Sequence, residues 1–231
     1  MKRFLLGALA SMALALPAYA DIAAGQQAYL AGNYGTALKE LLPLAKQGDA
    51  EAQYLVGVMR DHGQGVARNY RKAAEWYRKA ADQGHTLAQF NLGFLYYNGT
   101  SADGDPIPQS YIAAAAWLGK AAESGLTMAQ ALLGWMYFRG VGVARDYEQA
   151  MAWTRKAAYQ GIAQAQYNAG LMYARGQGVP QDSVMAFAWL SVAADKGYPG
   201  AVQNLEILAR QLTPDDVAVA QGLAAQLKAR E

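Results

Sequence analysis

The sequence predicts an all-α solenoid of stacked helix-turn-helix repeats, and two periodic series of residues carry this prediction. Four glycines stand 36, 41 and 36 residues apart, each followed six residues later by a second glycine: Gly57 and Gly63, Gly93 and Gly99, Gly134 and Gly140, Gly170 and Gly176. Four tryptophans recur at intervals of 41, 36 and 36 residues: Trp76, Trp117, Trp153 and Trp189. Such a period is typical of solenoids, whose units bury their apolar faces against their neighbours.

The cleanest repeat runs from Ala129 to Gly161, and its first half predicts a helix. Ala129, Leu133, Met136 and Tyr137 fall on one face at helical spacing. Gly134 lies inside this helix, although glycine lowers helix propensity by about 1 kcal/mol relative to alanine. Because this cost recurs in every repeat, we expect the missing side chain to allow close packing against a partner helix.

The second half of the repeat predicts another helix, from Tyr147 to Tyr159. Gly140 interrupts the first helix, since glycine accepts the positive φ angles of a turn. Residues of helix-capping type stand before the second helix in successive repeats: Asn69, Ser110, Asp146 and Asp182. Each can accept a hydrogen bond from a free backbone N–H of the first turn. Gly161 then ends the second helix, so each repeat is a helical hairpin.

The repeated residues, A-Q-x-x-x-G-x-x-Y-x-x-G-x-G-V-x-x-D-x-x-x-A-x-x-W-x-x-K-A-A-x-x-G, resemble the Sel-one-like repeat (SLR), a longer-looped relative of the tetratricopeptide repeat. The resemblance spans four units, from Ala50 to about Pro199. It implies a right-handed superhelix of helix pairs that acts as an interaction scaffold. The first unit departs from the pattern with Arg60 at the tyrosine position, and the second has no second loop glycine in register.

The domain organisation follows from these repeats. We expect them at about 50–86, 87–127, 128–163 and 164–199, with an N-terminal capping helix pair at 21–49 and C-terminal capping helices at 200–231. In the C-terminal part, one helix is expected over Ala201–Leu212 and a second after the capping residue Thr213. Five extra residues fall within 98–109, where Asp103 and Asp105 fit a solvated turn better than a calcium loop, which needs a late glutamate.

Residues 1–20 are expected to be a signal peptide. Lys2 and Arg3 precede an uncharged run from Phe4 to Leu16, and residues 18–20 (AYA) supply the small side chains that signal peptidase recognises. The run is too short to span a bilayer, which takes about 20 residues. We therefore expect export, to the periplasm in preference to secretion, with a mature chain that begins at Asp21 and has no membrane span. An uncleaved anchor is the alternative.

Charge and cysteine content narrow the class of partner. Without Lys2 and Arg3 the 20 basic residues become 18, which equals the 18 acidic ones, so the mature chain is formally neutral. Nucleic acid and anionic membrane surfaces both require a concentrated positive field, so neither is expected as the main partner. The sequence has no cysteine, which excludes disulfides, zinc-thiolate sites and cysteine nucleophiles. No cofactor or metal is expected.

The sequence contains no catalytic constellation, and we do not expect an enzyme. His62 and His85 lie near helix ends, outside any H-E-x-x-H pattern, and are expected to be solvated. No serine lies in G-x-S-x-G or S-x-x-K. The loop glycines lie between two helices instead of after a strand, which argues against a phosphate-binding loop. Cysteine-rich members of the SLR family have been linked to β-lactam binding or hydrolysis, but this sequence lacks their cysteines.

A second stripe of residues runs along the first helix of each repeat, three before, one after and four after the helix glycine. In tetratricopeptide relatives the matching positions line the concave surface. The stripe is strongly aromatic in the middle two repeats, and two arginines adjoin it that could hold a carboxylate. The candidate partner-binding residues are Phe94, Tyr97, Trp135, Phe138, Arg139 and Arg175. The alternative is that the rings fill space between helices, since aromatic stripes are more often core than site.

The sequence therefore predicts a non-catalytic scaffold of the bacterial cell envelope that binds a protein or peptide partner in the concave groove of an α-solenoid. A monomer is the favoured oligomeric state. Two other functions stay open: an enzyme or binder that acts on cell-wall peptides, and a structural subunit of an envelope assembly such as an exopolysaccharide export machine. A nucleophile pocket would favour the enzyme, whereas a continuous apolar groove would favour the scaffold.

Overall fold

The computed structural model describes residues 22–100 and 106–230, which form twelve α-helices and no β-strand. The helices are α1 (Ile22–Leu30), α2 (Tyr34–Gln47), α3 (Ala50–His62), α4 (Tyr70–Asp82), α5 (Thr86–Asn98), α6 (Tyr111–Glu123), α7 (Thr127–Arg139), α8 (Tyr147–Tyr159), α9 (Ala163–Arg175), α10 (Ser183–Asp195), α11 (Ala201–Ala209) and α12 (Pro214–Lys228). Each helix from α1 to α10 packs against the next, and α12 packs against α10. The predicted all-α solenoid is confirmed. In its four repeats the first helices are α3, α5, α7 and α9.

Two sequence predictions concern residues outside this description. The expected signal peptide, residues 1–20, is one, and Asp103 and Asp105 of the second-repeat insertion are the other. The described flanks of that insertion bond to each other. The backbone N–H of Thr100 donates to the carbonyl of Ile107, and the N–H of Ile107 donates to the Thr100 hydroxyl, both at 2.8 Å.

Each second helix begins at the side chain predicted to cap it. Backbone N–H groups of the first turn donate to the expected residues: Asn69, Ser110, Asp146 and Asp182. At Asp146 one carboxylate oxygen accepts from Glu148 at 2.9 Å and from Gln149 at 3.0 Å. The N–H of Asp146 also donates to the carbonyl of Tyr137 at 3.1 Å. This bond folds the loop back on α7 and sets where α8 starts.

The glycine inside each first helix lies where the second helix crosses it. A Cβ on Gly134 would stand 2.7 Å from the hydroxyl oxygen of Thr154 and 3.2 Å from the carbonyl of Ala150, both in α8. The equivalent glycines meet a second-helix side chain in the same way, in the pairs Gly57 and Tyr77, Gly93 and Leu118, Gly170 and Leu190. The close approach expected from the repeated glycine is confirmed.

The second loop glycine lets successive repeats touch. Gly142 has a φ of 72°, and a Cβ on it would overlap the carbonyl of Tyr111 at the start of α6 in the preceding repeat. Gly178 stands against the carbonyl of Tyr147 in the same way. A side chain here would strain the backbone and push one hairpin away from the next, so both conformation and space require glycine.

A buried glutamine ties each first helix to the hairpin before it. In α7 the side-chain amide of Gln130 donates to the carbonyl of Ala122, at the end of α6, at 3.1 Å. Gln53, Gln89 and Gln166 make the same bond to the carbonyl eight residues earlier. A buried amide is costly unless it is hydrogen-bonded, so these bonds fix how consecutive hairpins sit on each other.

The core is built from apolar side chains, many of them alanine, on both helices of each hairpin. In α7 most of the predicted face is buried: Ala129, Leu133 and Met136 lie in the core, and Tyr137 is half-buried. The repeated tryptophans differ among themselves. Trp189 is buried, whereas the other three are half-buried and each lies under the ammonium of the lysine three residues later, in the pairs Trp76 and Lys79, Trp117 and Lys120, Trp153 and Lys156.

Helices α1 and α2 pack at one end of the stack, on α3, and α12 packs at the other. Ala220, Ala224 and Leu227 form the buried stripe of α12, and Thr213 starts this helix in a reciprocal capping box with Asp216. The expected helix over Ala201–Leu212 is too long, because α11 ends at Ala209. The residue before a proline is restricted to extended backbone, so Thr213 has a ψ of 159° and residues 210–212 form the turn that leads to it.

Candidate functional site

The aromatic stripe of the first helices is only partly covered by neighbouring side chains. Phe94 remains 45% exposed, and Tyr97, Trp135 and Phe138 are half-buried. The other face of the same helices is sealed in the core, so these rings lie on the side of α5 and α7 that a ligand can reach. Partly exposed rings on rigid helices are a feature of binding surfaces.

The first cavity beside this stripe lies between α7 and α9 and measures about 160 Å³. Four of the six candidate residues line it: Trp135, Phe138, Arg139 and Arg175. Leu171 and Met172 of α9 complete its apolar walls. Thr154 of α8 and Asn168 of α9 add polar groups.

The second cavity, of about 310 Å³, lies along α5, α7 and α9. It contains the other two candidates, Phe94 and Tyr97. Trp135, Thr154 and Asn168 line the first and the second cavity together, so the two are continuous. The structure thus brings all six sequence-predicted residues to connected space, although their role in binding stays a prediction.

A third cavity extends this space toward the N-terminal repeats. It measures about 580 Å³ and shares Phe90 and Phe94 with the second cavity. Asp61 and His62 at the end of α3 line its far side. The three cavities form one surface, which we call the aromatic groove; it runs from Asp61 past Phe94 and Trp135 to Arg175.

Contacts between rings hold the groove in shape. Tyr97 meets Trp135 edge to face with centroids 6.0 Å apart, and it meets Tyr111 at 5.4 Å. Phe138 packs on Tyr147 with centroids 5.4 Å apart. Such pairs add about 0.5–1.5 kcal/mol beyond the burial of the rings. The rings therefore pack on each other and also line the groove, while their role in binding a partner stays a prediction.

The two ends of the groove differ in charge. Arg139 and Arg175 are exposed residues in the last turns of α7 and α9, and both line the first cavity. Within the described ranges, neither guanidinium has a carboxylate at salt-bridge distance. The guanidinium carbon of Arg139 lies 5.9 Å from the ring centroid of Trp135. This end of the groove therefore presents positive charge that no described carboxylate neutralises at salt-bridge distance.

Asp61 gives the opposite end an acidic group. Burial raises the pKa of the Asp61 carboxyl, and the hydrogen bond from the Tyr77 hydroxyl, at 3.0 Å, opposes the shift. Burial, followed by the charge of Asp61, raises the pKa of the Tyr77 hydroxyl far above its usual range. In the middle of the groove, burial and the neighbouring Tyr111 raise the pKa of Tyr97, so its hydroxyl stays protonated at neutral pH.

The prediction of two solvated histidines is wrong for His85. Its side chain is 16% exposed and stacks on Tyr54 with centroids 4.6 Å apart. Nδ1 accepts the N–H of Ala88 and so caps α5, which leaves the proton on Nε2 to be donated to Glu51 at 2.9 Å. Glu51 lies one hairpin earlier in the chain, and the sequence spacing alone gave no signal of this contact. His62 is exposed, as expected.

Among the lining residues that sequence reasoning missed are the two polar ones shared by the first and second cavities, Thr154 and Asn168. A signal for Thr154 was present, because the aligned positions carry Tyr77, Leu118 and Leu190. Across 22–100 and 106–230, no three His, Cys, Asp or Glu side chains gather into a group that could hold a metal ion. In the same ranges, no helix combines the length and the apolar character needed to cross a membrane.

The fold and the groove define a helical-repeat scaffold, a class of protein typical of protein–protein interaction. Its family follows from the repeats themselves. The Sel1 repeat model matches residues 50–85, 86–126, 127–162 and 163–198, which is more than half of the chain. The chain belongs to the Sel1 repeat family, in agreement with the resemblance drawn from the sequence.

Individual relatives agree with this assignment. The chain is similar to a Sel1 repeat protein from Oxalobacter formigenes, with 34% identity, a TM-score of 0.73, and coverage of 80% of this chain and 74% of that one. It is also similar to c5321, a protective antigen of uropathogenic Escherichia coli with an SLR fold, with 28% identity, a TM-score of 0.57, and coverage of 90% and 52%.

A curated relative is matched over a shorter stretch. The sel1-like repeat-containing protein L21 of Acanthamoeba polyphaga mimivirus is 38% identical over 65 residues, which is 26% of this chain. The chain spans 12% of the length of that relative. This match supports the repeat and says nothing about the remainder of L21.

Proposed function

We propose that the protein is an exported, non-catalytic scaffold of the cell envelope that binds a partner protein or peptide in the aromatic groove. The observation that carries this proposal is the continuity of the groove across four repeats, from Asp61 to Arg175. An extended segment of a partner can follow such a surface over several residues. No single closed pocket is required for that mode of binding.

The chemistry of the groove supports a protein partner. Aromatic and arginine side chains supply most of the free energy at protein interfaces, and they do so best when neighbouring groups exclude water around them. Trp135 and Phe94 provide apolar area, while Arg139 and Arg175 supply hydrogen-bond donors at the rim. The rings already hold one another in place, so little conformational entropy is lost when a ligand binds.

The cellular location is part of the proposal and depends on the sequence. Residues 1–20 have the charge, length and cleavage-site pattern of a signal peptide. A formally neutral mature chain also favours a polypeptide partner over nucleic acid or an anionic membrane surface.

Capture from periplasmic extract tests the proposed function. The immobilised mature protein is compared with Trp135→Ala, which should weaken capture of the partner by about 2 kcal/mol or more. Trp153→Ala is the matched control, because Trp153 is also half-buried in the third repeat but lines none of the three groove cavities. Capture that is unchanged by Trp135→Ala would contradict the proposal.

Thermal unfolding of the same variants separates binding from stability. If Trp135 acts mainly in the groove, Trp135→Ala keeps the helical circular dichroism signal and loses only the contribution of its ring contact with Tyr97, about 0.5–1.5 kcal/mol. A loss of about 3–5 kcal/mol in the free energy of unfolding, as for an emptied core position, would instead show that Trp135 is a structural residue.

A further inference from the structure

The cavity between α7 and α9 owes its open floor to one small residue. Thr154 stands at the position that carries tyrosine or leucine in the other three repeats. Those larger side chains fill the space over the first-helix glycine. Leu118 Cγ lies 2.8 Å from where a Cβ on Gly93 would stand, and Leu190 Cγ lies 2.7 Å from the same point on Gly170. Because threonine is smaller, the third repeat keeps an opening of about 160 Å³.

Thr154 forms the floor of this cavity. The residue is 4% exposed, and its hydroxyl oxygen lies 2.7 Å from where a Cβ on Gly134 would stand. Leucine at this position, as in the neighbouring repeats, would fill more of this space and close the cavity. The threonine therefore keeps the cavity accessible to an apolar group.

The rim of the cavity carries positive charge, and its walls are apolar. Arg139 and Arg175 line the same cavity as Trp135, Leu171 and Met172. A ligand that satisfies both parts presents an anionic group, such as a carboxylate, and an apolar group only a few ångströms apart. A guanidinium binds a carboxylate through two parallel hydrogen bonds, which makes arginine suited to this role.

We propose that this cavity binds the C-terminal residue of the partner polypeptide, with its apolar side chain inside and its α-carboxylate on Arg139 and Arg175. A C-terminal residue carries both groups on one Cα. A cavity of about 150 Å³ is large enough for benzene, so this one admits a side chain of the size of leucine. The inference rests on the proposed function of the groove, and it adds that the groove recognises the C-terminal residue of the partner.

Fluorescence anisotropy with the purified full chain tests this assignment. The probes are rhodamine-labelled hexapeptides of glycine and serine that end in leucine, prepared as the free acid and as the C-terminal amide. The free acid should bind about tenfold more tightly than the amide, because the amide cannot form the charge-assisted pair of hydrogen bonds. Arg139→Gln and Arg175→Gln should each reduce that difference, and Thr154→Leu should abolish binding of both peptides.

Two variants at the same position separate filling the cavity from unfolding the protein. Thr154→Ser keeps the hydroxyl and the opening, and it should bind like the parent. Thr154→Leu introduces the side chain that the neighbouring repeats hold over the same glycine, so its thermal midpoint should be unchanged or higher. Equal affinities for acid and amide, or parent-like binding by Thr154→Leu, would overturn the assignment.

The outcome also distinguishes this inference from the proposed function. If no leucine-terminated peptide binds up to millimolar concentration while Trp135→Ala still abolishes partner capture, the groove binds its partner and the C-terminal assignment is wrong. If capture is insensitive to Trp135→Ala, the proposed function fails and this inference fails with it.

Discussion

Single residues decide how closely the two helices of each repeat approach. In the third repeat, Gly134 and Thr154 face each other across the contact between α7 and α8. The absence of a side chain on Gly134 allows the contact, and the small side chain of Thr154 leaves the adjoining cavity open. Gly134 and Thr154 therefore determine both the packing of α7 on α8 and the shape of the adjoining groove.

We expect Gly134→Ala to destabilise the protein. The new methyl group would stand 2.7 Å from the Thr154 hydroxyl oxygen and 3.0 Å from the Thr154 backbone nitrogen, so α8 has to shift. Overpacking of this kind costs about 1–3 kcal/mol and outweighs the gain of about 1 kcal/mol in helix propensity. Urea unfolding measures the difference.

Gly119→Ala is the matched control. Gly119 also lies inside a helix, α6, but nothing lies within 4 Å of where its Cβ would be. This variant should gain up to about 1 kcal/mol from helix propensity alone. If both alanine variants become more stable, the close-packing account of Gly134 is wrong.

At the scale of elements, hydrogen bonds between helices set the geometry of each hairpin. The Tyr77 hydroxyl in α4 donates to the Asp61 carboxylate at the end of α3. Asp61 is also the acidic end of the aromatic groove. This bond therefore links the pairing of two helices to the charge that the groove presents.

We expect Asp61→Asn to stabilise the protein at neutral pH. Folding raises the pKa of the Asp61 carboxyl, mainly through burial, so the native state holds this proton more tightly than the unfolded chain does. The stability that the protonated group contributes is present below its unfolded pKa, about 3.9, and is lost as pH rises through the folded value. Asparagine keeps an acceptor for Tyr77 without the buried charge.

Chemical denaturation at several pH values checks this expectation. The free energy of unfolding of the parent, relative to that of Asp61→Asn, should fall as pH rises from about 3 to 7. At the acidic end the two proteins should be equally stable. Glu75→Gln, at an exposed site in α4, removes the same charge and is the matched control for the change in net charge. If Asp61→Asn is less stable than the parent at pH 7, the ionised carboxylate of Asp61 stabilises the fold and the prediction is wrong.

At the scale of the whole molecule, the stack is held by contacts between neighbours. Each hairpin touches the one before and the one after, through the buried glutamines and the loop glycines. In such a chain, stability is close to a sum of repeat and interface contributions. The groove is different, because it exists only where the four first helices α3, α5, α7 and α9 lie side by side.

The location of the whole molecule gives a further test. If residues 1–20 are a signal peptide, protein recovered from the periplasm should begin at Asp21. Intact-mass measurement of that material decides the matter. Retention of Met1 would show that the apolar segment is an uncleaved anchor.

Local chemistry let the sequence determine the repeat architecture. The period of Gly134 and its equivalents, the capping side chain of Asp146 and the apolar face of α7 depend on residues within one hairpin, and each is confirmed. The family followed from the same residues. The predicted end of α11 at Leu212 was wrong, because α11 ends at Ala209. Helix propensity alone does not show how many residues before Pro214 leave the helical conformation.

Only the tertiary structure decided how the stripe residues are exposed and which of them share a cavity. Whether Phe94 and Trp135 face a neighbour or open space depends on the angle between successive hairpins, which the Gln130 and Gly142 contacts set at long range. His85 reaches Glu51 for the same reason, across a separation of 34 residues. Sequence periodicity predicts which residues share one face of a helix. The packing between repeats determines whether that face contacts a neighbouring helix or solvent.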